Sequence, residues 1–320
     1  MYKVIMAPTE GSDVEKPALA AAVNLARCFD ADLRLVRVNP APVVIENVVR
    51  PPILEITEDT LPQERLARLR KLESLGVELR GDGESRIITA LEDGPVGPTL
   101  RDYANKFRVD LIVMTSHSRG GIKRVTLGSV TDYLIRHTSI PVLVVKPPAT
   151  FVSVSRSQTV GRIVVPLDGS VLAEQILPEV ASVAVRLNAT VSLVQVLTPL
   201  TYSQKQIMQP GLPWWDSDMA VADAYLSRAA TYLAEDGVAV STDVIVSEHV
   251  APAILDFADR SRADLIAIAT SGAGGMSRFV FGTVADEVTR KASTSLLVFH
   301  PKPALVTQKT PAQNQALAGA

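Results

Sequence analysis

The chain has 320 residues, of which 47% are hydrophobic, 21% charged and only 5% aromatic, and its formal net charge is −2. This balance is typical of packed globular domains and lacks the basic block that nucleic-acid-binding proteins present. No apolar run reaches the roughly 18 residues of a membrane-spanning helix, and the first residues lack a signal-peptide core, so we expect a cytoplasmic protein without nucleic-acid or membrane partners. The single cysteine, Cys28, lies in an apolar helical pattern that predicts a buried thiol.

The first half of the chain alternates predicted strands with predicted helices. Short apolar runs predict strands at 4–8, 33–38, 84–91, 110–114 and 142–145. Helical spacing predicts helices at 15–29, 61–75, 98–106 and 129–137, and Gly76 is expected to end the second of them. Strands that alternate with helices favour a mainly parallel sheet with helices on both faces.

The second half repeats this order. Its first two strands follow those of the first half at an offset of 158, and from Pro252 onward the offset is 154, so four residues are lost between them. Each repeat is long enough to be a domain. We therefore assign residues 1–147 to a first domain, 148–160 to a linker, 161–302 to a second domain and 303–320 to a tail that is predicted to be disordered. The predicted fold class is α/β, with two tandem doubly wound, mainly parallel five-stranded sheets.

A glycine-rich stretch at 269–283 lies between the fourth strand and the last helix of the second repeat. The same stretch occurs at 115–129 in the first repeat. Glycines allow backbone amides to approach a ligand closely, and a helix N-terminus presents unpaired N–H donors, so this arrangement suits a phosphate. In parallel sheets the carboxyl ends of strands meet at one edge, and we expect this loop and the turn after the first strand to flank one crevice.

These features together resemble the universal stress protein family, in a tandem form with two domains. ATP-binding members of that family carry a Gly-x2-Gly-x9-Gly-Ser/Thr pattern after the fourth strand and an Asp in a Pro-x-Asp-x-Ser turn after the first strand. The second repeat matches this pattern except that Ala269 replaces the first glycine. The first repeat departs further, with Thr115 and Ser118 at the two leading glycine positions and Glu10 at the acidic position.

The resemblance implies an adenine-nucleotide site in each domain. In the second domain, the implied phosphate contacts are Gly272, Gly282 and Thr283, the nucleoside contact is Asp168, and the adenine contact is the backbone of Val196. The counterparts in the first domain are Glu10, Val38, Gly128 and Ser129. Because the first domain departs from the family pattern, we expect nucleotide to bind mainly in the second.

The function implied by the resemblance is that of a stress-response regulator that binds ATP, with or without Mg²⁺, and does not turn it over efficiently. Arg278 is the only cation near the second glycine loop, and no base stands beside its hydroxyls, so the sequence predicts no catalytic residue. The four histidines have no metal-ligand spacing. A nucleotide-free scaffold is an alternative, as is an ATP pyrophosphatase-like enzyme, although the Ser-Gly-Gly-x-Asp-Ser loop of such enzymes is absent.

The last strand of each repeat, 142–145 and 296–299, is short, apolar and terminal. As bare sheet edges, both strands would invite aggregation. We therefore predict that they pair antiparallel and make the chain an intramolecular pseudo-dimer, an arrangement that leaves room for a homodimer.

Overall fold

The computed structural model describes residues 2–40, 60–81, 86–116, 127–146, 161–199, 214–270 and 282–301. The predicted linker at 148–160 and the predicted tail at 303–320 lie outside these residues, as does the candidate site residue Gly272.

Each half of the described chain alternates strands with helices. The elements of the first half are β1 (Val4–Pro8), α1 (Lys16–Phe29), β2 (Asp32–Asn39), α2 (Thr60–Arg80), β3 (Ile87–Asp93), α3 (Val96–Lys106), β4 (Leu111–Thr115), α4 (Ser129–His137) and β5 (Val142–Val145). Those of the second half are β6 (Arg162–Pro166), α5 (Val171–Glu174), α6 (Leu177–Leu187), β7 (Thr190–Leu197), α7 (Trp214–Glu235), β8 (Val240–Val246), α8 (Val250–Arg260), β9 (Leu265–Ala269), α9 (Thr283–Lys291) and β10 (Ser295–Phe299).

Helices α1 and α6 show how the sequence sets the local structure. Both are rich in small apolar residues, and their buried positions repeat every three to four residues. Each ends at a polar residue with left-handed backbone, Asp30 at φ 52° and Asn188 at φ 50°. Asp and Asn tolerate this conformation better than most residues, so they end the helix and turn the chain into the next strand.

The ten strands form one sheet in the order β3-β2-β1-β4-β5-β10-β9-β6-β7-β8. Within each half all neighbouring strands are parallel. In the first half the chain moves from β1 outward to β2 and β3 and then returns to place β4 on the other side of β1. This reversal is a topological switch point, and the second half repeats it between β6 and β9. The predicted fold class is confirmed, and the two predicted sheets are joined into one.

Helices cover both faces of the sheet. One hydrophobic core lies beneath α1, α2, α6 and α7, and a second lies beneath α3, α4, α8 and α9. Successive strand residues alternate between the two cores, as Ile5 and Ala7 face the first and Met6 the second. Because the strands are covered on both sides, they read as continuous apolar runs in the sequence.

The two halves meet at a seam between β5 and β10. These strands pair antiparallel, with Leu297 opposite Leu143, Leu296 opposite Val144 and Val298 opposite Val142. Leu143 and Leu297 are equivalent at the repeat offset of 154, so the register is symmetric about this pair. The predicted antiparallel pairing of the two last strands is confirmed.

Charged groups also link the two halves beside the seam. Asp132 and Arg136 of α4 form a ring of ion pairs with Asp286 and Arg290 of α9, in which Arg136 bonds to Asp286 at 3.0 Å. The Arg290 guanidinium, with help from Arg136, lowers the pKa of the Asp286 carboxyl. All four side chains are half-buried, so solvent screens their interactions only in part.

Lys146 follows β5 and is buried against the C-terminal end of α9. Its Nζ donates hydrogen bonds to the carbonyl oxygens of Thr289 at 2.9 Å and Ala292 at 2.6 Å. These carbonyls lie in the last turn of the helix and just beyond it, where acceptors have no intrahelical partner and a cation is favoured. Burial lowers the pKa of Lys146 to about 8.

Two sequence-based predictions are wrong. Helix α2 does not end at Gly76 but continues to Arg80, and a Cβ at Gly76 would lie 2.9 Å from Cγ2 of Thr89. The glycine therefore permits close packing of α2 on β3. Cys28 is exposed, because it lies on the solvent side of the last turn of α1, between the buried residues Ala26 and Phe29.

Candidate functional site

The turn after β1 is held by the carboxylate of Glu15. Its Oε2 accepts hydrogen bonds from Thr9 Oγ1 at 2.7 Å and from the amide of Gly11 at 3.2 Å, and its Oε1 accepts from the amide of Glu10 at 2.9 Å. Gly11 has φ 79°, a conformation that favours glycine. The predicted site residue Glu10 is exposed in this turn.

The equivalent turn after β6 is held differently. Asp168 Oδ1 accepts a hydrogen bond from the amide of Ser170 at 3.0 Å, and Ser170 Oγ accepts from the amide of Ala173 at 3.1 Å. Ser170 is thus the N-cap of the following helix. Asp168 is exposed, and one of its two carboxylate oxygens, Oδ1, is the acceptor in this local turn. Ser170 rather than Asp168 caps the helix, and the Asp168 carboxylate lies at the strand end.

Helices α4 and α9 begin in the same way. The amide of Gly128 donates to the carbonyl of Ser116 at 2.8 Å, and the amide of Gly282 donates to the carbonyl of Thr270 at 2.7 Å. A Cβ at Gly282 would lie only 3.1 Å from that carbonyl oxygen, so the glycine permits a close backbone crossing. Because the Gly282 amide is used within the protein, the donors at the helix start are the amides from Thr283 onward, and in α4 those from Ser129 onward.

A cavity of about 340 Å³ opens at this edge of the first repeat. Its lining includes three of the four residues predicted for this repeat, Glu10, Val38 and Gly128, whereas Ser129 is not among the lining residues. The walls are formed by Pro8, Thr9, Glu15, Ala18, Val36, Arg37, Pro40, Arg68, Val96, Leu100, Met114, Thr115, Val130 and Thr131. The lining combines apolar side chains with the charged residues Glu10, Glu15, Arg37 and Arg68, and such a mixture is typical of sites for polar small molecules.

Two arginines of this cavity were not singled out in the sequence. Arg37 precedes Val38 on β2, and Arg68 lies on α2. Arg68 donates a hydrogen bond to the side-chain oxygen of Asn39, the last residue of β2, and its Nη2 lies 3.7 Å from Glu64 Oε2. Arginines on a helix usually face solvent, and the helical spacing alone gave no sign that this one reaches the strand end.

The second repeat places its candidate residues at equivalent positions. Asp168 follows β6, Val196 lies near the end of β7, and Gly282 and Thr283 begin α9. The fifth predicted residue, Gly272, lies outside the described chain.

Tyr225 of α7 was also not predicted for this site. It is 8% exposed, and its hydroxyl lies near the Glu174 side chain and the Gly169 backbone. Burial raises the pKa of its phenol, and the nearby carboxylates of Glu174 and Asp168 raise it further. The side-chain oxygen of Gln195 on β7 is buried without a partner in the described residues.

Across the described ranges, no group of three or more His, Cys, Asp or Glu side chains could hold a metal ion. None of the helices that the structure describes combines the length and apolarity needed to cross a bilayer.

The fold and the two equivalent strand-end sites define a class of protein, a tandem α/β protein built from two doubly wound domains. Comparison with known proteins gives the family. The family model described as the universal stress protein family matches residues 1–146 and again residues 159–300. The chain therefore belongs to the universal stress protein family, and the resemblance found in the sequence is confirmed.

Individual relatives agree with this assignment. A universal stress protein of Methanocaldococcus jannaschii is 33% identical over 151 residues, which span 46% of this chain and 84% of that protein. A universal stress protein of Mycolicibacterium smegmatis is 23% identical over 301 residues, which span 93% of this chain and 97% of the relative. Among solved structures, a universal stress protein from Archaeoglobus fulgidus has a TM-score of 0.65 at 14% identity, covering 93% of this chain and 96% of that one.

Proposed function

We propose that this chain is a stress-response regulator that binds ATP, chiefly in its second domain, and does not turn it over efficiently. The observation that carries the proposal is the convergence of three backbone features at one sheet edge in each repeat: the turn after the first strand, the end of the second strand and the start of the last helix. This edge adjoins the switch point, where ligands bind in doubly wound folds.

The second domain is favoured because of its chemistry. Its acidic position is Asp168, whose carboxylate lies exposed at the strand end and suits ribose hydroxyls. The amide and hydroxyl of Thr283, together with the Gly272 loop, would hold phosphates, and the backbone of Val196 would bind the adenine edge. In the first domain Glu10 and Ser118 replace the residues that the family pattern has at these positions. Glu10, Val38, Gly128 and Ser129 would form the weaker counterpart there.

Lack of turnover follows from the groups that surround the proposed phosphates. Rapid phosphoryl transfer needs a positioned nucleophile and concentrated positive charge, and Arg278 is the only nearby cation in the sequence of the second loop. Amides at a helix start stabilise ground-state phosphate about as well as a transition state, and such uniform binding does not accelerate chemistry. We therefore propose that the protein is not an enzyme, and that Mg²⁺, where present, accompanies the nucleotide.

The arrangement of the chain is part of the proposal. Residues 1–147 and 161–302 would be the two domains, 148–160 the linker and 303–320 a tail. The β5–β10 pairing supports an intramolecular pseudo-dimer of these domains. Chains would also associate as homodimers, and the protein would act in the cytoplasm without nucleic-acid or membrane partners.

Isothermal titration of the full chain with Mg-ATP tests the proposal. We expect Asp168→Asn to weaken binding by about tenfold or more, because a charge-assisted hydrogen bond is lost while the local turn keeps its acceptor oxygen. The matched change Glu10→Gln in the first domain should alter the affinity little. Gly272→Val should abolish most binding, and Ser118→Val should not.

A reverse order of effects would place the main site in the first domain. No heat with the wild-type chain would favour the nucleotide-free scaffold. Phosphate release at roughly 1–100 s⁻¹, the range of kinases, and its loss in Asp168→Ala would make the protein an enzyme.

A further inference from the structure

The turn after β1 holds a carboxylate in the way that proteins bind a small anion. The amides of Glu10 and Gly11 and the hydroxyl of Thr9 donate hydrogen bonds of 2.7–3.2 Å to the carboxylate of Glu15. Successive amides that point at one acceptor form an anion-binding concavity, and hydrogen bonds to an ionised acceptor are stronger than neutral ones. The anion position of this turn is therefore occupied by the chain's own side chain.

The sequence around Glu15 is typical of a different role. Ser12 precedes it by three residues, and Ser-x-x-Glu is the capping-box pattern, in which the Glu side chain bonds back to the amide of the Ser. Here the carboxylate of Glu15 reaches past Ser12 to the amides of Glu10 and Gly11. It thus lies beside the end of β1, where the cavity opens.

Glu15 also lies near the point where the last helix of the repeat begins. The short 3₁₀ helix Asp13–Glu15 packs against β4, and Glu15 lines the cavity together with Thr115 at the end of β4 and Gly128 before α4. Strand β4 is a neighbour of β1 in the sheet. A phosphate on the donors at the start of α4 would therefore lie one or two strand spacings, about 5–10 Å, from the Glu15 carboxylate.

The cations of the described lining do not reverse this charge at the turn. Arg37 lies against the turn, since its Nη1 is 3.3 Å from the position that a Cβ of Gly11 would take. Arg68 is held at the other end of the cavity by its hydrogen bond to the last residue of β2. The carboxylates of Glu10 and Glu15 thus share one nearby guanidinium, and an anionic group at the turn would meet net negative charge from these lining residues.

The remaining wall suits an uncharged ring. Val38, Leu100 and Met114 line the cavity, and a flat heterocycle can pack on such side chains. In the second repeat, the offset of 158 pairs Glu15 with Ala173, which has no carboxylate to place on the turn amides.

We propose that Glu15 makes the first cavity selective for an uncharged purine nucleoside over its phosphorylated form. Its carboxylate fills the anion position of the turn and repels a phosphate at the start of α4. This inference rests on the proposed function in taking the first cavity as the counterpart of the site in the second domain, and it names the residue that weakens phosphate binding there. The chain would then bind a nucleotide in one domain and a nucleoside in the other.

The test compares adenosine with AMP, which differ by one phosphate. Both are titrated calorimetrically into the full chain carrying Gly272→Val, in which we expect adenosine to bind at least as tightly as AMP. Glu15→Gln removes the charge and keeps an acceptor oxygen for the turn. In that variant the affinity for AMP should rise about tenfold, because a like charge at this distance is lost, and the affinity for adenosine should change by less than about twofold.

Asp13→Asn is the matched control. Asp13 lies in the same 3₁₀ helix, is exposed, pairs with Lys16 at 2.7 Å and is not among the described residues that line the cavity, so its loss removes an equal charge from outside the site. Thermal melts of each variant separate a structural role, because a Glu15 that only stabilises the turn would change both affinities alike.

Four outcomes would overturn the inference: tighter binding of AMP than of adenosine before Glu15 is changed, equal changes for the two ligands in Glu15→Gln, an AMP gain that Asp13→Asn matches, or no binding of either ligand. Only ligand in the first cavity should respond to Glu15, whichever domain binds ATP more tightly. The proposed function is judged separately, by ATP binding to the wild-type chain and to Asp168→Asn.

Discussion

Truncation of either central leucine of the seam should destabilise both halves of the chain. Leu143 and Leu297 are each 2% exposed and lie opposite one another between β5 and β10. Replacement of a fully buried leucine by alanine costs about 2–5 kcal/mol, since both transfer free energy and packing are lost. We therefore expect Leu143→Ala and Leu297→Ala each to lower the free energy of unfolding by about 3 kcal/mol.

The two substitutions should not be additive. Residues in contact show coupling free energies of about 0.5–3 kcal/mol, and here the double variant should lose less than the sum, because the first truncation already removes the shared contact. Leu35 and Leu193 form the matched control, since both are 0% exposed and they are equivalent at the offset of 158. They lie on β2 and β7, seven strand spacings or about 34 Å apart, and their effects should add within about 0.5 kcal/mol.

Urea unfolding is followed by far-ultraviolet circular dichroism and by tryptophan fluorescence. The chain has two tryptophans, Trp214 and Trp215, and both belong to the second half, so fluorescence reports on that half alone. Leu143→Ala lies in the first half and should shift the fluorescence transition as far as the dichroism transition. A fluorescence transition that Leu143→Ala leaves unchanged would refute the reasoning. So would equal coupling free energies in the Leu143/Leu297 pair and the Leu35/Leu193 pair. If the double alanine variant does not fold, the same double-mutant cycle is measured with Leu143→Val and Leu297→Val, which remove less side-chain volume.

Two further predictions concern Lys146 and Gly76. Because burial lowers the pKa of Lys146 to about 8, the unfolded chain binds more protons than the folded one between about pH 8 and 10.5, and stability should rise across this window by at most about 3 kcal/mol. Lys146→Met should flatten that rise when urea midpoints are measured at pH 8, 9 and 10. A midpoint that rises equally with pH in the wild type and in Lys146→Met would contradict the prediction. Gly76→Ala should cost about 1–2 kcal/mol despite its better helix propensity, because the new Cβ would lie 2.9 Å from Thr89 Cγ2. Thr89→Ser should restore much of that loss, and a single variant as stable as the wild type would show that α2 shifts freely.

The order of elements and the seam could be predicted from the sequence for a common reason. Strands buried on both faces are continuous apolar runs, and their positions can be identified without tertiary information. The same property marks β5 and β10 as edges that need a partner. Repetition of the whole pattern at a nearly constant offset then fixed the division into two halves.

What the sequence could not predict depends on contacts between elements. Glycine commonly ends a helix, but at Gly76 the decisive contact is with Thr89 on a neighbouring strand, 13 residues further on. Cys28 lies among buried neighbours, and its exposure depends on which side of the last turn faces solvent.

Arg68 and Tyr225 were missed as site residues for a related reason. Both lie on long helices, α2 and α7, and helical spacing does not show which polar side chain of a helix reaches a strand end. The helix-start end of the candidate site could be inferred because glycines mark it in the sequence. The end beside β2 includes the long side chains of Arg37 and Arg68, which carry no local signature.

The symmetric seam has a genetic consequence. In a homodimer of identical subunits, one codon change alters both copies of a site and both sides of the interface at once. Here the two halves belong to one reading frame, and Leu143 and Leu297 are encoded separately. A change at Glu10 therefore leaves its counterpart Asp168 intact, and the strand ends of the two halves can diverge independently.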